Sequence, residues 1–294
     1  MKKIIIEVGS TSTKIDLYDG NKVKHLDTIC IFFKKSYNKE IGLNENDIQL
    51  LIKSVNDVKK ISRDIYVCGT SIFRILTNEQ KEKFLMQFKR ETSLDFNIIS
   101  SERENELTVI GATKNVNSSV AVFVGGGGST EIAVYDKGIK EMVNTPIGVM
   151  DIMKKYPDLA QDLAKTDLSV IEKEIKDNLN LPKQKVDILI LAGGAHKYFA
   201  LNSGISYEEN TLYSDELQPI MMDIESRKKE TKRYYGEISL DKIRNKVDDP
   251  KWWYATRAMS AFALVVAKEI EAKYIIPTDI SMVYGIIEEL KECN

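Results

Sequence analysis

Two short stretches of small residues stand out for what their backbones can do. Gly9-Ser10-Thr11-Ser12 separates two β-type runs near the start of the chain, and Gly125-Gly126-Gly127-Gly128-Ser129-Thr130 separates two more further on. Turns of this composition expose backbone N–H groups and hydroxyls, and the missing side chains let a phosphate approach closely. Two such turns facing each other would clamp a phosphate chain. A single Gly-rich turn is read equally well as a device for a tight hairpin, but four glycines in a row exceed what a hairpin needs. Arg74 follows Gly69-Thr70-Ser71 at the start of an expected helix. An arginine there can grip a phosphate with both arms of its guanidinium, helped by the helix N-terminus.

Other residues with chemical potential carry less. Lys34 and Lys35 sit in an expected loop, where paired charges are ordinarily solvated. Arg227-Lys228-Lys229 with Lys232-Arg233 is the most basic stretch, yet Glu225, Glu230 and Glu237 dilute it, so it reads as a solvated helix. His196 reads as a surface or partly buried turn residue. Trp252, Trp253 and Tyr254 open a long apolar helix and suit core or dimer packing better than stacking on a guanine base. A homodimer is therefore carried as a candidate state. Arg257, one turn on from Trp253, is in reach of a cleft. The chain has 42 Lys+Arg against 44 Asp+Glu, a net charge of −2, which argues against a nucleic-acid partner. Cys30, Cys68 and Cys293 with His25 and His196 form no CxxC pair and point away from a Cys/His zinc site.

These groups need a scaffold, and the hydrophobic pattern supplies one. Ile4 to Val8 and Thr13 to Tyr18 read as a hairpin, with Lys22 to Phe33 as a third strand. Asn44 to Lys60 has the helical period and a cap at Asn44 or Asn46. Strands follow at Ile65 to Cys68 and Phe96 to Ile99, with helices around Ile72 to Leu76, Gln80 to Glu91 and Glu102 to Thr113. Then the plan restarts. Val120 to Val124, a glycine turn and Glu131 to Tyr135 copy the opening hairpin, which predicts a duplicated α/β unit. Further on come a helix over Asp167 to Leu179, a strand over Val186 to Leu191, a helix over Trp253 to Ala272, a strand over Tyr274 to Ile276 and a helix over Val283 to Cys293. The expected domains are 1–117 and 118–281, with a terminal helix over 282–294 packing back on the first, around a cleft. No apolar run approaches the roughly 20 residues of a membrane span, and the apolar N-terminus is cut short by Glu7. The expectation is a cytoplasmic protein with no membrane partner.

The motifs together carry a resemblance. Ile6 to Lys14 resembles the first phosphate motif of the actin, sugar-kinase and heat-shock ATPase superfamily, and Gly126-Gly127-Gly128-Ser129-Thr130-Glu131 resembles the second. The second motif has the form found in exopolyphosphatases and guanosine pentaphosphate phosphohydrolases. Gly69 to Arg74 with Thr77-Asn78, Ile98-Ile99-Ser100 with Glu104 and Leu107, Thr145-Pro146-Ile147-Gly148, Gly193-Gly194 and Pro277 to Gly285 resemble further segments of that family, in order, over nearly the whole chain. The resemblance implies two actin-like (ribonuclease H-like) α/β domains with a phosphate-binding cleft between them, in a short member lacking an added helical domain.

It also implies roles. Glu104 matches the base that activates the attacking water, a task that suits a carboxylate. Arg74, Gly9, Ser10, Thr11, Ser12, Gly126, Gly127, Gly128, Ser129 and Thr130 would bind phosphate. Glu131 matches a carboxylate beside the metal, and Glu7 stands where the family has Asp. A carboxylate directly after a phosphate turn repels phosphate unless a cation intervenes, and Mg²⁺ is content with one or two carboxylates plus phosphate oxygens. The implied activity is Mg²⁺-dependent removal of terminal phosphate from inorganic polyphosphate or guanosine pentaphosphate. Val124 departs from the pattern: it replaces a metal-associated Asp with hydrocarbon. Two alternatives follow, a sensor that binds polyphosphate or an alarmone with little or no turnover, and an ATP-dependent small-molecule kinase of the same superfamily.

Overall fold

The structure, a computed structural model, describes residues 2–114, 116–193, 196, 222–244 and 255–292. The chain divides into two compact units, Met1–Leu107 with Glu289–Asn294, and Thr108–Glu288.

The first unit opens with strands β1 (Lys3–Val8), β2 (Thr13–Tyr18) and β3 (Val23–Ile29). A short helix α1 (Phe33–Ser36) and the longer α2 (Glu45–Val58) lead to β4 (Ile65–Gly69). A 3₁₀ turn over Ser71–Ile75, helix α3 (Asn78–Thr92), strand β5 (Phe96–Ile98) and helix α4 (Ser101–Thr113) follow. The sheet order is β3-β2-β1-β4-β5. The first three strands run antiparallel, and β4 and β5 run parallel to β1. Alternation in β1 decides its faces: Ile4, Ile6 and Val8 join the core with Leu51, Ile52 and Val55 of α2. Asn44 caps α2 by accepting the Asn46 N–H, and Thr77 with Gln80 forms a capping box on α3. Phe33, Phe73, Phe84, Phe88 and Phe96 interlock at ring separations of 4.8–5.9 Å. Any side chain at Gly69 would strike the Phe96 and Phe73 rings, so only glycine fits there.

The second unit repeats this plan. Strands β6 (Val120–Gly125), β7 (Thr130–Tyr135) and β8 (Ile139–Thr145) run antiparallel. Helices α5 (Val149–Lys155) and α6 (Leu168–Asn178) precede β9 (Ile188–Ala192), which lies parallel to β6. Then come β10 (Met222–Asp223), α7 (Ile224–Gly236), α8 (Leu240–Arg244), α9 (Thr256–Glu269), β11 (Tyr274–Pro277) and α10 (Met282–Glu292). The order is β10-β11-β9-β6-β7-β8. In both sheets three consecutive antiparallel strands are followed by a parallel strand beside the first, so the duplication read in the sequence is visible in the topology. No described helix is long and apolar enough to cross a membrane.

Several expectations need correction. Lys22 to Phe33 is not one strand, because β3 stops at Ile29 and Phe33 enters α1. The helix carrying Arg74 is a 3₁₀ turn. Arg257 does not reach solvent: it is fully buried and donates to the carbonyls of Leu159, Gln161, Asp162 and Ile238 at 2.7–3.2 Å. Arg227, expected on a solvated face, is fully buried too. His196 lies buried with its ring edge-on to Phe123, and burial pushes its pKa down to about 3, leaving it neutral. Gly194, Trp252, Trp253, Tyr254 and Cys293 lie outside the described residues.

Candidate active site

The first turn is closed by one hydrogen bond, from the Gly9 N–H to the Ser12 carbonyl at 2.9 Å. The Ser10 carbonyl accepts the Lys34 N–H at 3.0 Å, which ties the turn to the start of α1. The Ser10 hydroxyl donates to the Ser71 hydroxyl at 2.7 Å. Ser71 has φ +52°, a left-handed conformation unusual for serine. Strain of this kind gathers at functional sites. The Thr70 N–H is bonded to the Val8 carbonyl at 3.1 Å, so the whole segment from Gly69 is anchored beside the turn.

That segment delivers Arg74. Its Nη1 donates to Glu104 Oε2 at 2.9 Å and to the Ile99 carbonyl at 3.2 Å. Glu104 stands in the first turn of α4, one-third exposed. Burial raises its pKa above the ordinary glutamate range, Arg74 opposes that rise, and the charge of Glu7 adds to it. The result is a carboxylate that holds a proton more readily than a solvated one and is held in place by a guanidinium. Glu7 and Lys14 face each other across β1 and β2, with Lys14 Nζ 3.3 Å from Glu7 Oε1. The charge of Glu7 raises the Lys14 pKa against the lowering effect of burial, with Asp16 and Glu104 adding to the rise. Glu7 Oε2 is buried with no hydrogen-bond partner among the described residues. The Cys68 thiol, beside Glu7 in the sheet, is pushed well up by burial and by the same two carboxylates. Glu7, Lys14, Arg74 and Glu104 therefore share one electrostatic neighbourhood within the first unit.

The second turn closes in the same way, with the Gly126 N–H on the Ser129 carbonyl at 2.9 Å. The start of α5 braces it from behind. The Val149 and Met150 N–H groups bond the carbonyls of Gly126 and Gly127 at 3.1 and 2.9 Å. A Cβ on Gly148 would come within 2.5 Å of the Gly126 carbonyl oxygen, so that glycine is required by close approach. Gly127 and Gly128 are different. Neither has a left-handed φ, a Cβ on Gly127 would make only an ordinary contact with Met150, and a Cβ on Gly128 would meet nothing within 4 Å. Their N–H groups make no backbone hydrogen bond among the described residues. Thr130 is buried with its hydroxyl on the Ile147 carbonyl at 2.8 Å, so its side chain braces the turn's base.

Glu131 is buried, accepts from Asn144 Nδ2 at 3.2 Å, and lies opposite Val124 in the β6–β7 register. Among the described residues no group of three His, Cys, Asp or Glu side chains forms a self-sufficient metal site. The orphaned oxygen of Glu7 nevertheless fits a hard cation that draws its remaining ligands from water and phosphate. Sequence reasoning gave no role to Lys14, Ser71, Asn144 or Gly148. The hairpin register could have shown Lys14, because a turn closed between Gly9 and Ser12 places residue 14 opposite residue 7. The Ser71 and Asn144 contacts are tertiary or cross-strand and leave no local signal.

Residues 28–242, well over half of the chain, match the family model for the Ppx/GppA phosphatase family. No curated protein matches the chain. Among solved structures it is similar to the Aquifex aeolicus member of the Ppx/GppA family, at 21% identity over 100% of this chain and 99% of that one, with a TM-score of 0.76. An exopolyphosphatase from Cytophaga hutchinsonii gives a TM-score of 0.74 at 14% identity, covering 100% of this chain and 98% of that one. At these identities the likeness is one of fold, the two-sheet actin-like α/β architecture.

Proposed function

The chain belongs to the Ppx/GppA phosphatase family, and from that premise we propose that it hydrolyses the terminal phosphoanhydride of inorganic polyphosphate or guanosine pentaphosphate, with Mg²⁺, in the cytoplasm. One observation carries the reading. The two turns close with the same hydrogen bond, although the first has Ser10 and Thr11 where the second has Gly127 and Gly128. The hairpin therefore does not need those glycines, and their bare backbone is left for a ligand.

In this reading the N–H groups of the turns and the hydroxyls of Ser10, Thr11, Ser12 and Ser129 take phosphate oxygens. Glu104 accepts a proton from the attacking water as its oxygen bonds to phosphorus and the anhydride P–O bond breaks. The raised pKa of Glu104 makes it a better base than a solvated glutamate. Arg74 holds that carboxylate in position and offsets charge as it develops on the phosphoryl group. Glu7 and Glu131 are the carboxylates that would be available to Mg²⁺, and a bound cation would neutralise phosphate oxygens.

A sensor that binds without turnover is favoured by Val124, which sets hydrocarbon opposite Glu131. The experiment is phosphate release from polyphosphate, guanosine pentaphosphate and ATP, with and without Mg²⁺ and with no acceptor. Release from either of the first two supports the hydrolase. Binding without release supports the sensor, and transfer from ATP to an added acceptor alone supports a kinase.

A further inference from the structure

The hydrolytic reading leaves one polar cluster of the first unit unused. In the β2–β3 pairing Asp16 lies opposite His25 and Lys14 opposite Thr28, with a register shift between Ile15 and Asp16. His25 and Thr28, three residues apart on β3, meet there, and Asp16 of β2 reaches the same imidazole. Asp16 Oδ1 is 2.9 Å from His25 Nδ1, and Thr28 Oγ1 is 2.9 Å from His25 Nε2. Asp16 is buried, while His25 is half exposed and Thr28 is exposed. An ionised Asp16 can only accept, so it takes the Nδ1 proton. The Asp16 hydrogen bond raises the His25 pKa, and once the ring is neutral its Nε2 lone pair faces the Thr28 hydroxyl.

A buried carboxylate needs a donor, and that need accounts for the contact between Asp16 and His25. It does not account for Thr28, which has solvent available and yet sits on the free nitrogen. Hydroxyl, imidazole and carboxylate in series are the arrangement that activates a nucleophile. The place is also telling. Thr13, the first residue of β2 after the phosphate turn, pairs with Ile29, so Thr28 is one residue further along the edge strand. That is about 3.3 Å more of strand. Lys14 opposite Thr28 supplies a cation, and the Asp27 carboxylate, which accepts the Thr28 N–H at 2.8 Å, is the opposing charge.

We propose that Asp16, His25 and Thr28 form a nucleophilic triad through which the protein phosphorylates its own Thr28 from a phosphoanhydride or acyl phosphate. With polyphosphate as donor this rests on reading the first turn as a phosphate site. Thr28 Oγ1 attacks the terminal phosphorus, the new O–P bond forms, and the anhydride P–O bond breaks. The hydroxyl proton passes to His25 Nε2 and is then lost to water, and the leaving group is the chain shortened by one phosphate.

The test incubates the full-length protein and Mg²⁺ with polyphosphate or with acetyl phosphate, a small donor that needs no chain-binding turn. Peptide mass spectrometry locates the phosphoryl group while free phosphate is assayed in parallel. The expected result is a single phosphoryl group on Thr28, retained in Thr28→Ser, absent in Thr28→Val and formed about 10²–10⁴-fold more slowly in His25→Gln. An unmodified Thr28 with both donors, or unchanged labelling in His25→Gln, overturns the proposal. Phosphate release from polyphosphate without labelling rejects the triad and keeps the hydrolase. Labelling by acetyl phosphate with no release from polyphosphate keeps the triad and rejects the hydrolase.

Discussion

In the first hairpin the residue two before the turn glycine is Glu7, and its cross-strand partner is Lys14. In the second hairpin those places hold Val124 and Glu131. The backbones around them agree closely: each turn closes with an N–H to carbonyl bond of 2.9 Å, and the helix after the third strand braces the first with one N–H (Lys34) and the second with two (Val149 and Met150). What differs is where the chemistry sits. The first unit surrounds its turn with Glu7, Lys14, Arg74 and Glu104, and the Ser10 hydroxyl is tied to Ser71. The second surrounds its turn with glycine; of its carboxylates, Glu131 accepts from the Asn144 amide and Asp151 from the Gly148 N–H. A shared scaffold has thus been specialised, with titrating groups on one copy and open backbone on the other. In the proposed reaction the first unit carries the proton transfer beside its share of phosphate binding, and the second only holds phosphate oxygens.

The largest expected break in that division is Glu104→Gln. Turnover should fall about 10²–10⁴-fold, the ordinary worth of a general base, while affinity for polyphosphate persists. The base works only when deprotonated, and its pKa is raised, so activity should fall on the acid side at a pH above the ordinary glutamate range. Arg74→Met removes a charge that opposes the rise and should move that limb to still higher pH. Gly148→Ala comes next. Its Cβ would collide with the Gly126 and Gly127 backbone, which should cost about 1–3 kcal/mol in a denaturant titration.

Gly128→Ala sharpens the comparison from the other side. A Cβ there meets nothing, so unfolding should be unchanged or harder by about 0.4–1 kcal/mol, while calorimetry shows weaker polyphosphate binding. The smallest effect belongs to Val124→Asp, which sets two carboxylates across the β6–β7 pair. Without divalent cation it should lose roughly 0.2–1 kcal/mol. Added Mg²⁺ should raise its melting temperature more than it raises that of the unaltered protein.

Much of this was legible in the sequence because the signals are local. The Thr13–Tyr18 strand, the Asn44 cap and the repeated hairpin all follow from periodicity and turn chemistry within a few residues. Strand β8 escapes sequence reasoning because Ile139–Thr145 is an edge strand of mixed polarity, and α5 because it is one short helix capped at Gly148. Local sequence places Arg227, Arg257 and His196 at or near the surface. The tertiary fold instead buries them, and Arg257 is satisfied by backbone carbonyls far along the chain. In the candidate site Glu104 was legible as a helix residue, but its pairing with Arg74 spans 30 residues, and no local rule reveals it.

The most direct test of the division is steady-state phosphate release from polyphosphate by the unaltered protein, Glu104→Gln and Gly128→Ala in parallel. The account expects Glu104→Gln to lose kcat with KM nearly unchanged, and Gly128→Ala to raise KM with kcat largely kept. Full turnover in Glu104→Gln, or a Gly128→Ala protein with unaltered KM and collapsed kcat, would contradict it.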